Sequence, residues 1–434
     1  MTTVAARRAI EIRDARPEDN AELVGLTAAC VMEGSIAMRV DRAPDFFALN
    51  RLEGDAWRVG VALGSDERII GCVAAAGRDA YVNGAVRRVS YASDLKVHPT
   101  ARGSGAADLL SEYARDAARD FGGETAPCVL TILSGNRPMQ HRARGPRGTV
   151  VLSRFASLAV AAIPLLWERR EHIPGLTVRR AQASDVEEMA AVWSRLAPAR
   201  QLAGALDAET MTRWIAAAPG LAITDYLIAT DPGGRMSGFL GVWDQSSFKQ
   251  LRVVRYSRRM GVARHAINAA AAMVQLRHSE RSAGCLSFRA ERGIALLPTE
   301  GPLYRDDCDS STPALRAYAR NDTSLLRRFA RNDSLSGRLL PPPGEPLPVL
   351  ATVHICAESP HVLRALLLDA YRRWRGRGYA CLTVGLDVTD PLAAATRGLL
   401  GQTTMVDAYV SSGAGVADPR MFDGRPLHFE TALV

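Results

Sequence analysis

Apolar runs with a two-residue period alternate along this chain with stretches whose apolar positions recur every three or four residues, so strands and helices alternate. A short strand begins at Ile12-Arg13, and Arg16-Pro17-Glu18-Asp19 opens a helix with acid in its first turn, where the helix dipole favours it. Strands are predicted at Arg58–Leu63, Ile69–Ala75, Arg88–Val97 and Cys128–Leu133. Between the last two, Leu109, Leu110, Tyr113, Ala114, Ala117, Ala118 and Phe121 fall at helical spacing, and Gly122-Gly123 supplies a glycine stop. Strands separated by single helices imply a mixed α/β sheet covered by helices.

The pattern breaks at a charged stretch near Glu168–Gly175 and then restarts. Leu176–Arg179 is a strand, and Ala183-Ser184-Asp185-Val186-Glu187-Glu188 opens an acidic helix, echoing the N-terminal arrangement. Strands follow at Tyr226–Ala229, Met236–Trp243, Leu251–Tyr256, Val349–Ile355 and Cys381–Leu386. A weak duplication of one α/β unit accounts for this, with domains at 1–172 and 173–434. From about 278 to 340 the strand rhythm stops and arginine dominates. Two near repeats begin there at Leu315 and Leu326, eleven residues apart, a helical repeat length. The tract is an inert insertion in a surface loop of the second unit; Tyr318 and Phe329 are too few aromatics for a stacking platform on single-stranded nucleic acid.

Composition narrows the class. At 434 residues, 47% hydrophobic and 23% charged, the chain is globular and long enough for two domains. The longest nearly apolar run, Phe155 to Trp167, falls short of the roughly 20 residues of a membrane span, and no apolar stretch follows the N-terminal arginines as in a secretory signal. Seven scattered cysteines without a CxxC pair imply reduced thiols in a cytoplasmic setting and no metal site. The net charge of +8 invites a nucleic-acid reading, yet only Lys96 and Lys249 among the 54 basic residues are lysine, and the arginines are spread along the chain. That spread argues against nucleic acid. Oligomeric state is left open.

The segment 89–116 carries the chemistry. A strand ends at Val97-His98-Pro99, and Arg102-Gly103-Ser104-Gly105-Ala106-Ala107 leads straight into an amphipathic helix. Glycines let the backbone turn tightly and expose successive amides, and the helix N-terminus adds unpaired N–H groups with partial positive charge. Such a turn suits a phosphate, and Arg102 adds a full charge beside it. A second match, Arg258-Arg259-Met260-Gly261-Val262-Ala263, has one glycine and no Val-x-Pro before it, and is a relic or coincidence. Trp243 to Lys249 is a packed turn, with Asp244 and Lys249 free to face a partner.

The strand, Val-x-Pro, [QR]-x-x-G-x-[GA] and helix order is similar to the acetyl-CoA signature of the GNAT family of N-acetyltransferases, with Arg102, Gly105 and Ala107 in its defined positions. Thr131-Ile132-Leu133 followed by Asn136 resembles that family's fifth strand and the start of its next helix. The resemblance extends to the tandem members and implies two GNAT-like domains, each a mixed, mostly antiparallel twisted sheet flanked by helices. It also implies a splayed fourth and fifth strand pair in the first domain, a degenerate second domain, and acetyl-CoA as acyl donor with a small amine acceptor. Pantetheine would bond the backbone at Leu95, Lys96 and Val97, diphosphate would sit on Arg102, Gly103, Ser104, Gly105, Ala106 and Ala107, and Asn136 would meet the cofactor.

An amine with a reference pKa of about 10.4 must lose a proton before it attacks a thioester. Asp94 is the nearest fourth-strand carboxylate and the expected base, with Asp45 a weaker candidate; backbone N–H groups near the splay would steady the oxyanion. Many GNATs carry a tyrosine acid after the fifth strand. Between Asn136 and Phe155 there is none, and only His141 is an ordinary proton donor. The expectation is therefore an N-acetyltransferase acting by direct attack, with a non-catalytic acyl-CoA-binding protein of the same fold as the alternative.

Overall fold

The computed structural model describes residues 10–143, 150–166, 168–269, 271–273, 339–399, 401–416 and 418–433. The arginine-rich tract with its paired repeat lies outside the described residues, apart from its last two positions.

The first half runs β1 (Glu11–Asp14), α1 (Asn20–Ala29), β2 (Ile36–Asp41), α2 (Asn50–Glu53), β3 (Ala56–Leu63), β4 (Ile69–Val82), β5 (Ala85–Val97), α3 (Ala106–Gly122), β6 (Pro127–Leu133), α4 (Arg137–Ala143) and β7 (Ser153–Pro164). The second runs β8 (Thr177–Arg180), α5 (Val186–Leu196), α6 (Ala208–Ala217), β9 (Tyr226–Thr230), β10 (Met236–Asp244), β11 (Gln250–Tyr256), β12 (Pro346–Leu347), β13 (Val349–Ala357), α7 (Pro360–Trp374), β14 (Cys381–Asp387) and β15 (Gln402–Ser412). β4 reaches seven residues beyond its predicted end. Asn83-Gly84, both at positive φ (54° and 82°), turn it directly into β5, as an Asn-Gly pair does in a tight hairpin.

The duplication is visible in side-chain detail. Arg13 bonds Asp19 at 2.6 Å, and the Asp19 carboxylate also accepts from the Arg16 amide at 2.7 Å. Arg179 bonds Asp185 at 2.7 Å, and Asp185 accepts from the Gln182 amide at 2.7 Å. In each half an arginine on the first strand thus holds the aspartate that opens the following helix.

The halves nevertheless share one sheet. Its twelve strands run β1-β3-β4-β5-β6-β15-β7-β14-β13-β10-β9-β8. β15, the last strand of the chain, lies between β6 and β7, while β7 of the first half pairs with β14 of the second. The expected division at 172/173 therefore falls between strands that are interleaved. β11 departs from expectation too: it pairs with β2 and β12 in a separate three-stranded sheet instead of joining the second half's main sheet. That small sheet ties β2 of the first half to β11 and β12 of the second.

α3 covers one face of the first-half sheet, burying Leu110, Ala114, Ala117 and Ala118. α1 and the Phe46-Phe47 turn cover the other, around Leu23, Leu26, Val59, Val61 and Cys72. No described helix is long and apolar enough to cross a membrane. Leu158, fully buried on β7, packs where the interleaved strands meet. Leu158→Ala is expected to cost about 2–5 kcal/mol, the range for emptying a buried leucine site. In denaturant titrations both halves should then unfold in one shifted transition; separate transitions would show that the shared strands do not couple them.

Candidate active site

β5 and β6 run parallel and are in register only at Ser90–Cys128 and Tyr91–Val129. Past Tyr91 they part, β5 remaining on β4 and β6 on β15. At the open end of β5 the chain makes one turn of 3₁₀ helix, Pro99–Ala101, and then the glycine-containing turn into α3. Gly103 and Gly105 have φ of 85° and 96°, and a methyl group added at either would meet nothing within 4 Å, so the turn faces open space. Among the described residues the amides of Arg102, Gly103 and Gly105 have no hydrogen-bond acceptor, while Ser104 N–H reaches Ala101 O at 3.2 Å and Ala106 N–H reaches Ser104 Oγ at 3.3 Å. Arg102 is exposed beside them. From α4, Arg142 bonds Ala107 O at 3.0 Å and lies 2.5 Å from Asp108, adding a second cation near the turn. The result is a helix N-terminus with three amides free of acceptors and an exposed arginine beside them, an arrangement that can hold an anion.

Asp94 sits at a β-bulge in β5: Cys72 pairs with Lys96 but Ala74 with Ser93, so β5 carries one extra residue. Its φ of 54° is left-handed, unusual for a residue with a side chain. The carboxylate is held by Arg42 at 3.0 Å, by Lys96, and by the Asn50 amide at 3.4 Å. Arg42, itself buried, also donates to Phe46 O and lies over the Phe46 ring. Burial would raise the Asp94 carboxyl, but Lys96 and Arg42 outweigh it and hold it below the usual carboxylate range. A carboxylate so stabilised has little tendency to take a proton from an ammonium, and the Asp94 side chain anchors the bulge instead.

The other predicted residues fall in several places. Leu95, Lys96 and Val97 lie on the parted stretch of β5, residues 102–105 form the turn, and Ala106 and Ala107 open α3. Asn136 is exposed, and its Oδ1 accepts from Met139 N–H at 3.3 Å, so it caps α4. Asp45 accepts from Phe47 N–H at 2.9 Å and pairs with Arg51, a local structural role.

Two buried groups beside Asp94 escaped the sequence reading. Glu53, at the end of α2 and 3% exposed, accepts from Ser93 Oγ at 3.0 Å; burial and the charge of Asp94 push its carboxyl up to about 7. Lys249 turns inward, contrary to the outward role expected of its turn. It donates to Ala432 O at 3.1 Å, and burial with the nearby Arg42 charge brings it down to about 7. Its place as one of two lysines was the only available signal.

The second half repeats this geometry with a different outcome. β13 and β14 pair over Val349–Ala351 and Cys381–Thr383 and then part. β13 carries the same bulge, with His354 at φ 50°. Here the chain itself fills the opening: Leu427 N–H donates to Asp387 at 2.8 Å, and His354 N–H donates to both Glu430 oxygens at 3.1 and 3.2 Å. The strand-to-helix junction corresponding to the glycine turn is Glu358-Ser359-Pro360, without glycine and with an acidic residue held by Arg195 and Arg235. The motif-like Arg258–Ala263 follows β11 instead, away from this junction.

Neither a protein-family model nor a curated protein matches the sequence. Solved structures do match. Saccharomyces cerevisiae N-myristoyltransferase with bound myristoyl-CoA and inhibitors superposes with a TM-score of 0.55 at 9% identity, covering 99% of this chain and 88% of that one. The same enzyme with myristoyl-CoA gives 0.54 at 9% identity over 94% and 83%. A GCN5-related N-acetyltransferase from Sphaerobacter thermophilus is 14% identical over 95% and 97%, with a TM-score of 0.48. The superposition on N-myristoyltransferase shows a shared fold.

The second opening, filled by the chain's own residues, is expected to make the core acid-sensitive. His354 is buried and brought down to about 4, chiefly by burial, and Glu430 is lowered to about 2, where bonding to His428 outweighs burial. An unfolded histidine takes up its proton near its ordinary 6.5, so this contribution is whole above about 6.5 and is lost as pH falls toward 4. Glu430 follows below about 4.5. Denaturant midpoints are expected to fall steadily across that interval, and His354→Gln should flatten the upper part of the decline. A flat profile in the wild type would refute this account.

Proposed function

We propose that the chain is an acetyl-CoA-dependent N-acyltransferase whose donor site lies in the first half and whose acceptor is a small amine. The observation that carries this is the outward amide turn 102–107 at the end of the strand that parts from β6. Diphosphate on those amides puts the pantetheine along Leu95–Val97 and the thioester at the bulge. The second half supports the next step by analogy within the same molecule. There the bulge residue's amide leaves the ladder and bonds a carboxylate oxygen; the Asp94 amide, at the equivalent position, is the proposed donor to the thioester oxygen as it becomes an oxyanion. Transfer is direct, so positioning supplies most of the acceleration. Asn136 is proposed to meet the cofactor at the far side of the cleft.

Calorimetry with acetyl-CoA should give one site per chain. Gly105→Val, which forces a β-branched residue to positive φ and costs about 1–3 kcal/mol in strain, should weaken binding at least tenfold. Arg102→Glu should weaken it in proportion to the charge reversal, most at low salt. Thiol release against a panel of primary amines identifies the acceptor. If the wild type neither binds acetyl-CoA nor releases thiol, the reading fails; two sites per chain would show that the second opening is not sealed.

A further inference from the structure

Asp94 is too well paired to act as the base, yet another carboxylate, at the end of α2, is bonded to the neighbouring β5 residue Ser93. Glu53 is 3% exposed, and among the described residues no cation lies within ion-pair distance of it. Its oxygen accepts from Ser93 Oγ at 3.0 Å. Ser93 lies two residues past the last β5–β6 pair and immediately before the bulge, so its hydroxyl stands on the parted stretch of strand. A buried, unpaired carboxylate is costly, and its persistence at such a point calls for a chemical reason.

We propose that Glu53 is the proton sink of the acyl transfer and that Ser93 Oγ passes the proton to it from the acceptor amine. This rests on the acyltransferase reading above. The incoming ammonium gives one proton to Ser93 Oγ while the hydroxyl proton moves to Glu53. The freed lone pair forms the C–N bond at the thioester carbon. On collapse the C–S bond breaks with its electron pair on sulfur, and the second amine proton goes to the thiolate. Glu53 then returns its proton to solvent, leaving amide and thiol.

The surroundings fit a group that must change protonation near neutrality. Asp94 on β5 faces Glu53 and disfavours a second negative charge, while Arg42 opposes that effect. Arg78 on β4, Tyr91 on β5 and Lys249 from the second half also feel its charge. Burial and Asp94 prevail, bringing the carboxyl to about 7. General-base catalysis by such a group is worth about 10²–10⁴-fold.

The test takes the full chain, acetyl-CoA and the best amine of the panel. In the wild type, kcat/KM should rise with pH through about 7 and level off. Glu53→Gln, close in shape, should lower kcat about 10²–10⁴-fold with acetyl-CoA affinity unchanged and the limb near 7 gone. Ser93→Ala should lose at least tenfold with the limb retained, and Glu53→Asp should recover part of the rate. Carbon-13 NMR of glutamate-labelled protein, read as wild type minus Glu53→Gln, should place one carboxyl titrating near 7; an ordinary value near 4.5 overturns the proposal even if no amine turns over. A limb that survives in Glu53→Gln but vanishes in Lys249→Met also overturns it and makes the lysine the base. Loss of acetyl-CoA binding in the wild type would instead overturn the acyltransferase reading.

Discussion

Two parallel strands that separate after a few paired residues leave backbone edges inside a protein without strand partners, and buried peptide groups are almost always hydrogen-bonded. The rest of this molecule is organised around how that demand is met. In the second half the chain meets it with its own Leu427–Thr431 segment, Glu430 bonding the bulge amide of His354. In the first half the parted strand runs instead into a turn whose amides point outward at the start of a helix. One geometry thus serves as a structural joint in one place and as the proposed donor site in the other. The difference lies in a few residues: glycines and Arg102 at one junction, and Glu358 at the other.

The strand exchange explains why the duplication is not two separable bodies. β6, one wall of the first opening, is held on its far side by β15, which ends the second half. Lys249 of the second half, bonded to Ala432 O, feels the charges of the Asp94 cluster. The first-half cleft is therefore built partly from the second half. The charges there sort by burial and pairing: Asp94 keeps its charge because two cations hold it, whereas burial and the Asp94 charge outweigh what Ser93, Arg42 and Asn50 offer Glu53 and place its proton near neutrality.

Much of this was legible in order along the chain. Helix α3, its glycine stop, the strands around it and the glycine turn follow from local periodicity and backbone preference, and the echo of the acidic helix start Arg16–Asp19 in Ala183–Glu188 marked the repeat. Other features were not legible, because no local pattern encodes them. Leu251–Tyr256 alternates like any strand and says nothing about which sheet accepts it. Phe155–Pro164 reads as an apolar run, yet its neighbours β14 and β15 lie more than two hundred residues away. Glu53 follows two ordinary helical residues, and its character comes entirely from what surrounds it.

The sequence by itself determined the local conformations: where the chain turns, which stretches are helical, and which turn can offer amides to an anion. Those follow from steric limits on φ and ψ and from short-range hydrogen bonding, which act within a few residues. Tertiary structure decided which strands exchange between the halves, which opening is sealed, and which acid is charged. Those depend on burial and on charges brought together from distant parts of the chain, and a group's dielectric surroundings and neighbours exist only once the sheet has closed around it.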